Sequence, residues 1–491
     1  MCGIVGRYGQ PIHPTFARAL VRGMLGAVAH RGPDGDGILV TGRAALGHAR
    51  LSIIDLEGGA QPMSDELGEV SITFNGEIFN YVELRRDLTS RGVQFRTQSD
   101  TEVILRLYQE KGDSCVEDLN GDFALAIYDR ARERLLLARD RMGVRPLFYA
   151  NTKDALLFGS EIKALLAAGV DAAADPIALD QIFTLWSPLP PRTAFANISE
   201  LPPGHVLIAT PDGVITRPYW SLQFPRAGEE ADVVDETALA QELQALLADA
   251  TRIRLRADVP VGAYLSGGLD SAIVATLARD VAGQRLATFS VTFDSPEFDE
   301  SAYQLRMVAE LGAEHRSVAC TSAAIGAEFP DVVAHMERPV LRTAPGPLFA
   351  LSRLARDSGC KVVLTGEGAD EVFAGYDIFK EAKVRAFCAR QPESRFRSLL
   401  FRRLYPYLPG VQAQSPAYLK AFFGQGLDRL GDPLFSHLPR FETTGRTKAL
   451  FSGDMKATLA GYDALAELRD SLSAEFARWH PLHQAQYLES A

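Results

Sequence analysis

Cysteine is scarce in this sequence and occurs in no paired pattern. Only five cysteines are present among 491 residues, and none has the C-x-x-C spacing of a metal or redox site. An odd number of cysteines at irregular intervals argues against a disulfide framework. The sequence therefore predicts reduced thiols, as in a cytoplasmic protein.

The chain also lacks the long apolar run and the surplus of basic residues that other classes of protein need. No segment reaches the roughly 18 apolar residues of a membrane span, and no secretory signal precedes the first motifs. The net charge of −11 argues against nucleic acid as the main partner and gives no basic face for a membrane. Hydrophobic residues make up 47% of the chain, which is ample for two large folded domains.

The most distinctive stretch is a glycine loop that lacks the lysine of a Walker motif. A β-prone apolar run ends at Ser266, Gly267 and Gly268, and Asp270 and Ser271 begin a helix-forming segment. Adjacent glycines let backbone N–H groups converge, and a helix N-terminus adds partial positive charge, so the loop predicts a phosphate site. An ordinary glycine turn of an α/β fold is the alternative. The sequence SGGLDS resembles the pyrophosphate-binding loop of the ATP pyrophosphatases, which implies cleavage of ATP to AMP and pyrophosphate.

Residues 1 to about 220 alternate short β-prone runs with helical segments. The runs lie at 37–41, 70–74, 123–129, 134–140 and 155–160, and the helical segments at 80–91 and 100–111. This mixture predicts an α+β sandwich. Turn-forming residues cluster at 31–35 and 75–80, and Asp100 stands at a predicted helix start, where an N-cap is the competing explanation.

A cysteine stands second in the chain, after the initiator methionine. Removal of Met1 would leave Cys2 as a true N-terminus. Its α-amine, with a pKa of about 7.7–8.0, could then act as general base for its own thiol. A cysteine placed second by chance is the competing interpretation.

Five motifs favour the first interpretation, because together they resemble the class II glutamine amidotransferases. They are MCGIVG, HRGPD, GHARLSIID, FNGEIFNY and SDTEVIL, in the order that this family has them. The resemblance implies an N-terminal nucleophile sandwich in which Cys2 attacks the side-chain amide of glutamine, forms a thioester and releases ammonia. His30 and His48 have structural roles in this interpretation.

The same resemblance assigns roles around the nucleophile. Asn75 and the backbone N–H of Gly76 would form the oxyanion hole. Arg50 would bind the α-carboxylate of glutamine, and Asp100 with Glu77 would accept its α-ammonium. Further glutamine contacts fall on Leu51, Ser52, Ile53 and Ile54.

The second half alternates strands with helices. Predicted strands at 261–265, 287–293, 315–320 and 361–365 each adjoin a helix-like segment, which predicts a parallel sheet with ligands beyond the carboxyl ends of its strands. The polar stretch at 224–236 predicts a linker. We therefore predict a glutaminase domain at 2–220 and an α/β parallel-sheet ATP pyrophosphatase domain at 225–491.

A second glycine loop, TGEGADEVFAGY, directly follows the strand predicted at 361–365. It brings Glu367, Asp370 and Glu371 to a turn that we expect to lie beside the phosphate loop. Carboxylates beside phosphates repel them unless a divalent cation lies between. Asp270 and Asp370 are therefore predicted Mg²⁺ ligands, with a capped helix start at 370 as the alternative.

The two glycine loops behind a class II glutaminase resemble the glutamine-hydrolysing asparagine synthetases. This resemblance implies that ATP adenylates the β-carboxylate of aspartate and that ammonia displaces AMP. Its ATP contacts fall on Leu265, Val291, Thr365 and Gly366, its ammonia base on Glu367, a loop tyrosine on Tyr376 and an acceptor-side arginine on Arg342.

The sequence departs from this family in two places. Pro339 and Val340 stand where threonines are expected before Arg342, and the chain stops at HQAQYLESA, before an expected lysine and the R-x-P-F-L-D segment. We therefore expect a C-terminally incomplete synthetase domain. Three alternatives stay open: an amidotransferase of secondary metabolism with another carboxylate acceptor, a glutaminase with little synthetase activity, and a remnant that only binds. The oligomeric state is also open, with a homodimer as one candidate.

Overall fold

The computed structural model describes residues 1–229, 235–282 and 286–490. These residues form two compact units. The first contains 1–175, 190–221 and 240–365, and the second contains 176–189, 222–239 and 366–491. Residues 230–234 of the predicted linker lie outside the described part. The domains predicted at 2–220 and 225–491 stay a prediction, because the compact units follow the packing of segments and not their order in the chain.

Two antiparallel sheets make up the first part of unit one. In chain order their strands are β1 Gly3–Gly9, β2 Gly35–Thr41, β3 Ala44–Arg50, β4 Met63–Ser64, β5 Val70–Ile78, β6 Gly121–Asp129, β7 Arg134–Arg139, β8 Phe148–Asn151, β9 Ala155–Gly159, β10 Ser199–Glu200, β11 His205–Thr210 and β12 Gly213–Pro218. One sheet has the order β10-β8-β9-β1-β3-β2 and the other β12-β11-β7-β6-β5-β4. The five strands and two helices predicted for this half are confirmed.

The two sheets pack face to face and helices cover their outer faces. Ile4 and Leu46 of the first sheet share one buried cluster with Ala126 and Leu137 of the second. The helices Pro14–Ala27 and Ile162–Ala167 pack on the outer face of the first sheet. The helices Tyr81–Ser90 and Asp100–Lys111 pack on the outer face of the second. The predicted α+β sandwich is confirmed.

The turn predicted at 75–80 is wrong, because Asn75–Ile78 continue strand β5. These residues pair with the beginning of β6 in regular antiparallel register. Gly76 is required there by close packing: a Cβ at this position would lie 2.0 Å from the carbonyl oxygen of Asp122. A glycine that the sequence suggested as a turn residue therefore serves the approach of two strands.

The second part of unit one is a parallel sheet. Its strands are β13 Val261–Tyr264, β14 Ala287–Phe293, β15 Glu314–Cys320 and β16 Val362–Leu364, in the order β15-β14-β13-β16. The helices of this part are Glu236–Arg254, Leu269–Ala282, Ser301–Leu311, Ser322–Met336 and Pro345–Asp357. All four predicted strands are confirmed. Because β13 and β16 are neighbours and parallel, their carboxyl ends lie at the same edge of the sheet.

The described residues of the second unit form helices. The α-helices are Pro176–Leu185, Ala369–Phe373, Asp377–Ala389, Pro409–Gln412, Pro416–Phe423, Leu438–Gly445, Gly453–Thr458, Ala464–Ser471 and Pro481–Ser490. The first of these joins the others through polar contacts: Lys448 Nζ lies 2.9 Å from Asp180, and the Gln181 amide donates to the Tyr462 hydroxyl at 2.8 Å.

Within the described residues, every helix is too short or too polar to cross a membrane. All five cysteines are free thiols. The expectation of unpaired thiols is therefore confirmed.

The sandwich core should dominate the stability of unit one. Leu137→Ala deletes a fully buried side chain between the two sheets, and we expect the free energy of unfolding to fall by about 2–5 kcal/mol. Chemical denaturation measures the change. Leu67→Ala removes the same atoms from a side chain that is 81% exposed and should change the free energy by less than about 0.5 kcal/mol; equal losses in the two variants would contradict the assignment of the core.

Candidate active site

Cys2 directly precedes strand β1 and lies beside the loop that follows β3. The backbone N–H of Leu51 donates to the Cys2 Sγ at 3.3 Å, and the Arg31 Nε donates to the Cys2 carbonyl at 2.9 Å. Burial raises the pKa of the Cys2 thiol. The thiol therefore needs a base within reach before it can act as a nucleophile.

Arg31, which the sequence analysis did not single out, is fixed by a network around Glu161. The Glu161 carboxylate accepts from Arg31 at 2.7 Å, from Lys163 at 2.5 Å and from His30 at 3.0 Å. Burial alone would raise the pKa of Glu161, but the contacts with His30, Lys163 and Arg31 lower it well below its usual range. His335 completes a group of potential metal ligands with His30 and Glu161. Because both Glu161 oxygens already accept from cations, we interpret the group as an ion-pair network.

Asn75 is buried on β5 with an unsatisfied side-chain amide. The residue is 1% exposed, and its Nδ2 and Oδ1 have no hydrogen-bond partner among the described residues. Burying an amide without partners is costly. Its Nδ2 is thus available to a ligand, as an oxyanion donor must be.

Two buried carboxyl groups form the acidic side of the site. Burial raises the pKa of Glu77 to about 7 and that of Asp100 to about 6. Asp100 accepts from the Ile78 N–H at 3.1 Å. Ser99 is the N-cap of the following helix, since its hydroxyl accepts from the Thr101 N–H at 3.1 Å. The competing explanation of Asp100 as an N-cap is therefore wrong.

Arg50 ends strand β3 and holds the loop that follows it. Its guanidinium donates to the carbonyls of Asp55 at 2.7 Å and Leu56 at 3.0 Å. Residues 51–55 form no strand, and the Arg50 guanidinium bonds to the end of this segment. The Ser52 N–H donates to Asp34 at 2.7 Å.

One pocket collects most of the residues predicted for glutamine. Its lining includes Cys2, Arg50, Leu51, Ile53, Ile54, Gly76, Glu77 and Asp100, together with Gly59, Gln61, Phe74, Ser99 and Thr101, which were not predicted. Ser52 and Asn75 are absent from this lining. Arg145 was also missed: its charge acts on Glu77 and Cys2, lowering the pKa of both against the effect of burial. A thiol, a guanidinium and two carboxyl groups in one pocket can bind an amino acid by its charged groups.

The SGGLDS loop connects β13 to the helix Leu269–Ala282. Gly267 has a φ of 92°, which favours glycine. The Ser266 hydroxyl accepts from the Gly268 N–H at 3.2 Å and lies 2.9 Å from the Ser271 hydroxyl. A Cβ on Gly268 would meet only the Ser266 Oγ, at 3.3 Å, so the space before the loop is open. The free N–H groups of the first helical turn and this open space fit a phosphate group.

The other predicted ATP residues of unit one stand at the same sheet edge. Leu265 follows β13, Val291 lies in the second half of β14, and Thr365 follows β16. These are three adjacent parallel strands. Asp270 lies in the first turn of the helix that follows the loop. Arg342 is exposed in the irregular segment between Met336 and Pro345.

Gly366, Glu367, Asp370 and Tyr376 belong to the second unit. There the Tyr376 hydroxyl donates to Glu371 at 3.0 Å. A short helix, Ala369–Phe373, begins after Gly368, whose φ of 90° places it in the left-handed region. Asp370 is thus inside the helix and is not its cap, contrary to the structural alternative for this residue.

The comparisons with known families agree with this geometry. Residues 1–220 match the glutamine amidotransferase domain family, and residues 242–491 match the asparagine synthase family. The first match covers the sandwich and the pocket around Cys2, and the second contains both glycine loops.

Individual relatives fall into two groups. The chain is 37% identical to asparagine synthetase [glutamine-hydrolyzing] 1 of Bacillus subtilis over 78% of its own length, which spans 60% of that relative. It is 34% identical to the amidase chyE of Penicillium rubens over 94% of its length and 71% of the relative. It is 31% identical to the amidase chry2 of Gibberella zeae over 99% of its length and 76% of the relative.

The fold and the pocket define a sandwich of the N-terminal nucleophile type, followed in the chain by a parallel sheet with a glycine loop after its first strand. The chain belongs to the family of glutamine-hydrolysing asparagine synthetases.

The two buried carboxyl groups should make glutamine binding depend on pH. An α-ammonium group is bound by carboxylates, and Glu77 and Asp100 become protonated as the pH falls through about 7 and about 6. We expect the Kd for glutamine to rise about tenfold between pH 8 and pH 5.5. Calorimetry with the Cys2→Ala variant, which lacks the candidate nucleophile, measures this Kd.

Glu77→Gln provides the discriminating variant. Its remaining pH dependence should follow Asp100 alone, with an inflection near the pKa of about 6. Glu110→Gln, at an exposed site, is the matched control and should behave as the parent. A Kd that does not change with pH would show that these carboxyl groups do not bind the ammonium.

Proposed function

We propose that this protein is a glutamine-dependent amidotransferase that makes ammonia at Cys2 and uses it to convert an adenylated carboxylate, that of aspartate, into an amide. The observation that carries the proposal is the pocket around Cys2, whose lining brings a thiol together with a guanidinium and two carboxyl groups. The buried, unpartnered amide of Asn75 belongs to the residue before Gly76, which lines this pocket. The family matches over residues 1–220 and 242–491 support the pairing of the two activities.

The glutaminase half uses residues of the pocket in distinct roles. The Cys2 Sγ attacks the amide carbon of glutamine, and the α-amine of Cys2, freed by removal of Met1, takes the thiol proton. Asn75 Nδ2 and the Gly76 N–H stabilise the oxyanion. The carbon–nitrogen bond then breaks, ammonia leaves with the proton, and water hydrolyses the thioester to glutamate.

Arg50 on one side and Glu77 with Asp100 on the other orient the substrate by its α-carboxylate and α-ammonium. The contacts of Leu51, Ser52, Ile53 and Ile54 would be made by the loop that Arg50 holds. Binding of the ammonium favours the ionised carboxylates, which burial disfavours in the empty pocket.

In the synthetase half, a carboxylate oxygen of aspartate attacks the α-phosphorus of ATP and pyrophosphate leaves. Ammonia then attacks the acyl carbon and AMP leaves. The SGGLDS loop would bind the phosphates through its backbone N–H groups, with Leu265, Val291, Thr365 and Gly366 at the nucleotide. Asp270 and Asp370 would hold Mg²⁺, which neutralises charge on the pyrophosphate.

The remaining predicted residues act on the acceptor. Glu367 would take a proton from the attacking ammonia, while Arg342 and Tyr376 would contact the acceptor or its adenylate. We propose a cytoplasmic enzyme with small-molecule substrates; a homodimer is the form to test by solution scattering.

A second candidate has a different acceptor carboxylate. The relatives named as amidases match 94% and 99% of the chain, whereas the first synthetase relative matches 78%. Pro339 and Val340 also stand before Arg342, where the resemblance to the synthetases leads us to expect threonines. Both observations favour an acceptor other than aspartate: ATP would adenylate another carboxylic acid, and ammonia would then convert it into an amide.

The nucleophile is tested by replacing single thiols. Cys2→Ala should reduce glutamate release from glutamine by at least about 10³-fold, because no other group can form the thioester. An enzyme-coupled glutamate assay measures the rate. Cys360→Ala removes another half-buried thiol and should keep the parental rate; a Cys2→Ala variant with normal activity would contradict the glutaminase assignment.

The adenylation half and its acceptor are tested by pyrophosphate exchange. With ATP, Mg²⁺ and a panel of carboxylic acids that includes aspartate, labelled pyrophosphate should enter ATP only with the true acceptor. Asp270→Asn should reduce this exchange about 10²-fold or more without changing glutamate release, because a proposed Mg²⁺ ligand is replaced by a neutral amide. Exchange with an acid other than aspartate would select the second candidate, and its absence with every acid would leave only a glutaminase.

A further inference from the structure

The loop at residues 51–61, here the glutamine loop, is held by residues from outside the part of the chain that matches the glutamine amidotransferase family. Asp258 makes two bonds to it: its carboxylate accepts from the Asp55 N–H at 2.7 Å, and its own N–H donates to the Ile53 carbonyl at 2.9 Å. All of these residues lie in unit one.

Lys361 makes a second attachment to the same loop. Its Nζ donates to the Asp34 carboxylate at 2.6 Å and to the Ser52 carbonyl at 3.3 Å. The same Asp34 oxygen accepts from the Ser52 N–H at 2.7 Å. Both backbone polar groups of Ser52 are therefore occupied by this ion pair.

Asp55 connects these attachments to the groups that would bind substrate. Its carbonyl accepts from the Arg50 guanidinium at 2.7 Å. Its carboxylate accepts from the Gly58 N–H at 2.8 Å and from the Gln98 N–H at 2.7 Å, and Gln98 lies two residues before Asp100. Asp55 therefore touches both the guanidinium side and the segment that leads to the carboxylate side of the pocket.

These bonds stabilise the backbone conformation of Asp55. Its φ is 50°, a left-handed conformation that is uncommon for non-glycine residues, although aspartate adopts it more readily than most. Asp258 supplies the partner for the N–H of this residue. Without that partner we expect the loop to relax and Arg50 to lose its position.

Both attachments come from residues just before strands of the parallel sheet. Asp258 lies three residues before β13 and Lys361 directly before β16, and these two strands are hydrogen-bonded neighbours. The amino ends of two adjacent strands therefore support the glutamine loop.

We propose, on the basis of the glutaminase function above, that Asp258 and Lys361 are positioning residues that set the affinity of the pocket for glutamine. They act through Asp55 and Ser52 on the orientation of Arg50. Neither residue contacts Cys2 or Asn75, which stand at or on the strands β1 and β5. The loop reaches the Cys2 Sγ through the N–H of Leu51, directly after strand β3 and before the attached residues, so the chemical step should change less than binding.

The test separates binding from chemistry in the full-length protein. Asp258→Ala and Lys361→Ala should each raise the KM for glutamine about threefold to tenfold, with kcat within about twofold of the parent. Asp258→Asn should restore most of the affinity, because its amide oxygen can still accept from the Asp55 N–H.

Arg256→Ala is the matched control. Arg256 lies two residues before Asp258 and joins the same two parts of unit one through Glu83 at 2.6 Å, but it makes no bond to the glutamine loop. It should keep the parental KM, and thermal unfolding should show all variants folded.

Different results would overturn the positioning role of Asp258 and Lys361 and the glutaminase function. A normal KM in Asp258→Ala and Lys361→Ala, a fall in kcat alone, or an equal rise of KM in Arg256→Ala would each overturn this inference. Glutamate release that persists in Cys2→Ala would instead overturn the glutaminase function itself, because the KM values are measured on Cys2-dependent release.

Discussion

The close approach of strands β5 and β6 at Gly76 is the constraint on which the candidate glutaminase site depends. A side chain there would collide with the Asp122 carbonyl, so only glycine lets β5 stay paired to its end at Ile78. Because side chains alternate along a strand, Asn75 and Glu77 then point to the same face. The regular strand β5 therefore places the Asn75 amide and the Glu77 carboxyl group on one face of the sheet.

Burial makes two polar side chains of this site, Glu77 and Asn75, less stable than they would be in water. Raising the pKa of Glu77 from 4.5 to about 7 makes its ionised form less stable by about 3 kcal/mol. The unpartnered amide of Asn75 adds a second cost of about 1–3 kcal/mol. A bound zwitterion with an adjacent developing oxyanion would satisfy both groups, so the empty pocket is prepared for such a ligand.

The sequence predicted the elements well and the long-range contacts poorly. Apolar β-prone runs located five of the twelve sandwich strands and all four strands of the parallel sheet within a few residues, and the glycine loop lies directly after β13, as predicted. The error at 75–80 arose because local turn propensity was overridden by the packing of Gly76 against β6. Arg31, Arg145 and Asp258 were missed because each acts on residues distant in the chain, and only the fold shows such contacts.

The carboxyl ends of β13 and β16 lead to one candidate site of unit one, and their amino ends lie beside the other. At one end the strands lead to the SGGLDS loop, the proposed phosphate site, and to Thr365. At the other end Asp258 and Lys361 bond to the glutamine loop and to Asp34. Two short neighbouring strands therefore contact the elements of both proposed half-reactions. The family match for the sandwich ends at residue 220, although Asp258 and Lys361, far beyond that residue, bond to the glutamine loop and to Asp34.

The central claim is that the thiol of a processed N-terminal cysteine forms a thioester with glutamine. Acid quenching during turnover, followed by peptide mass spectrometry, tests this claim most directly. The account predicts an N-terminal peptide that begins at Cys2, without Met1, and carries one γ-glutamyl group on the thiol. Active protein that retains Met1, or a γ-glutamyl group on any other cysteine, would contradict it.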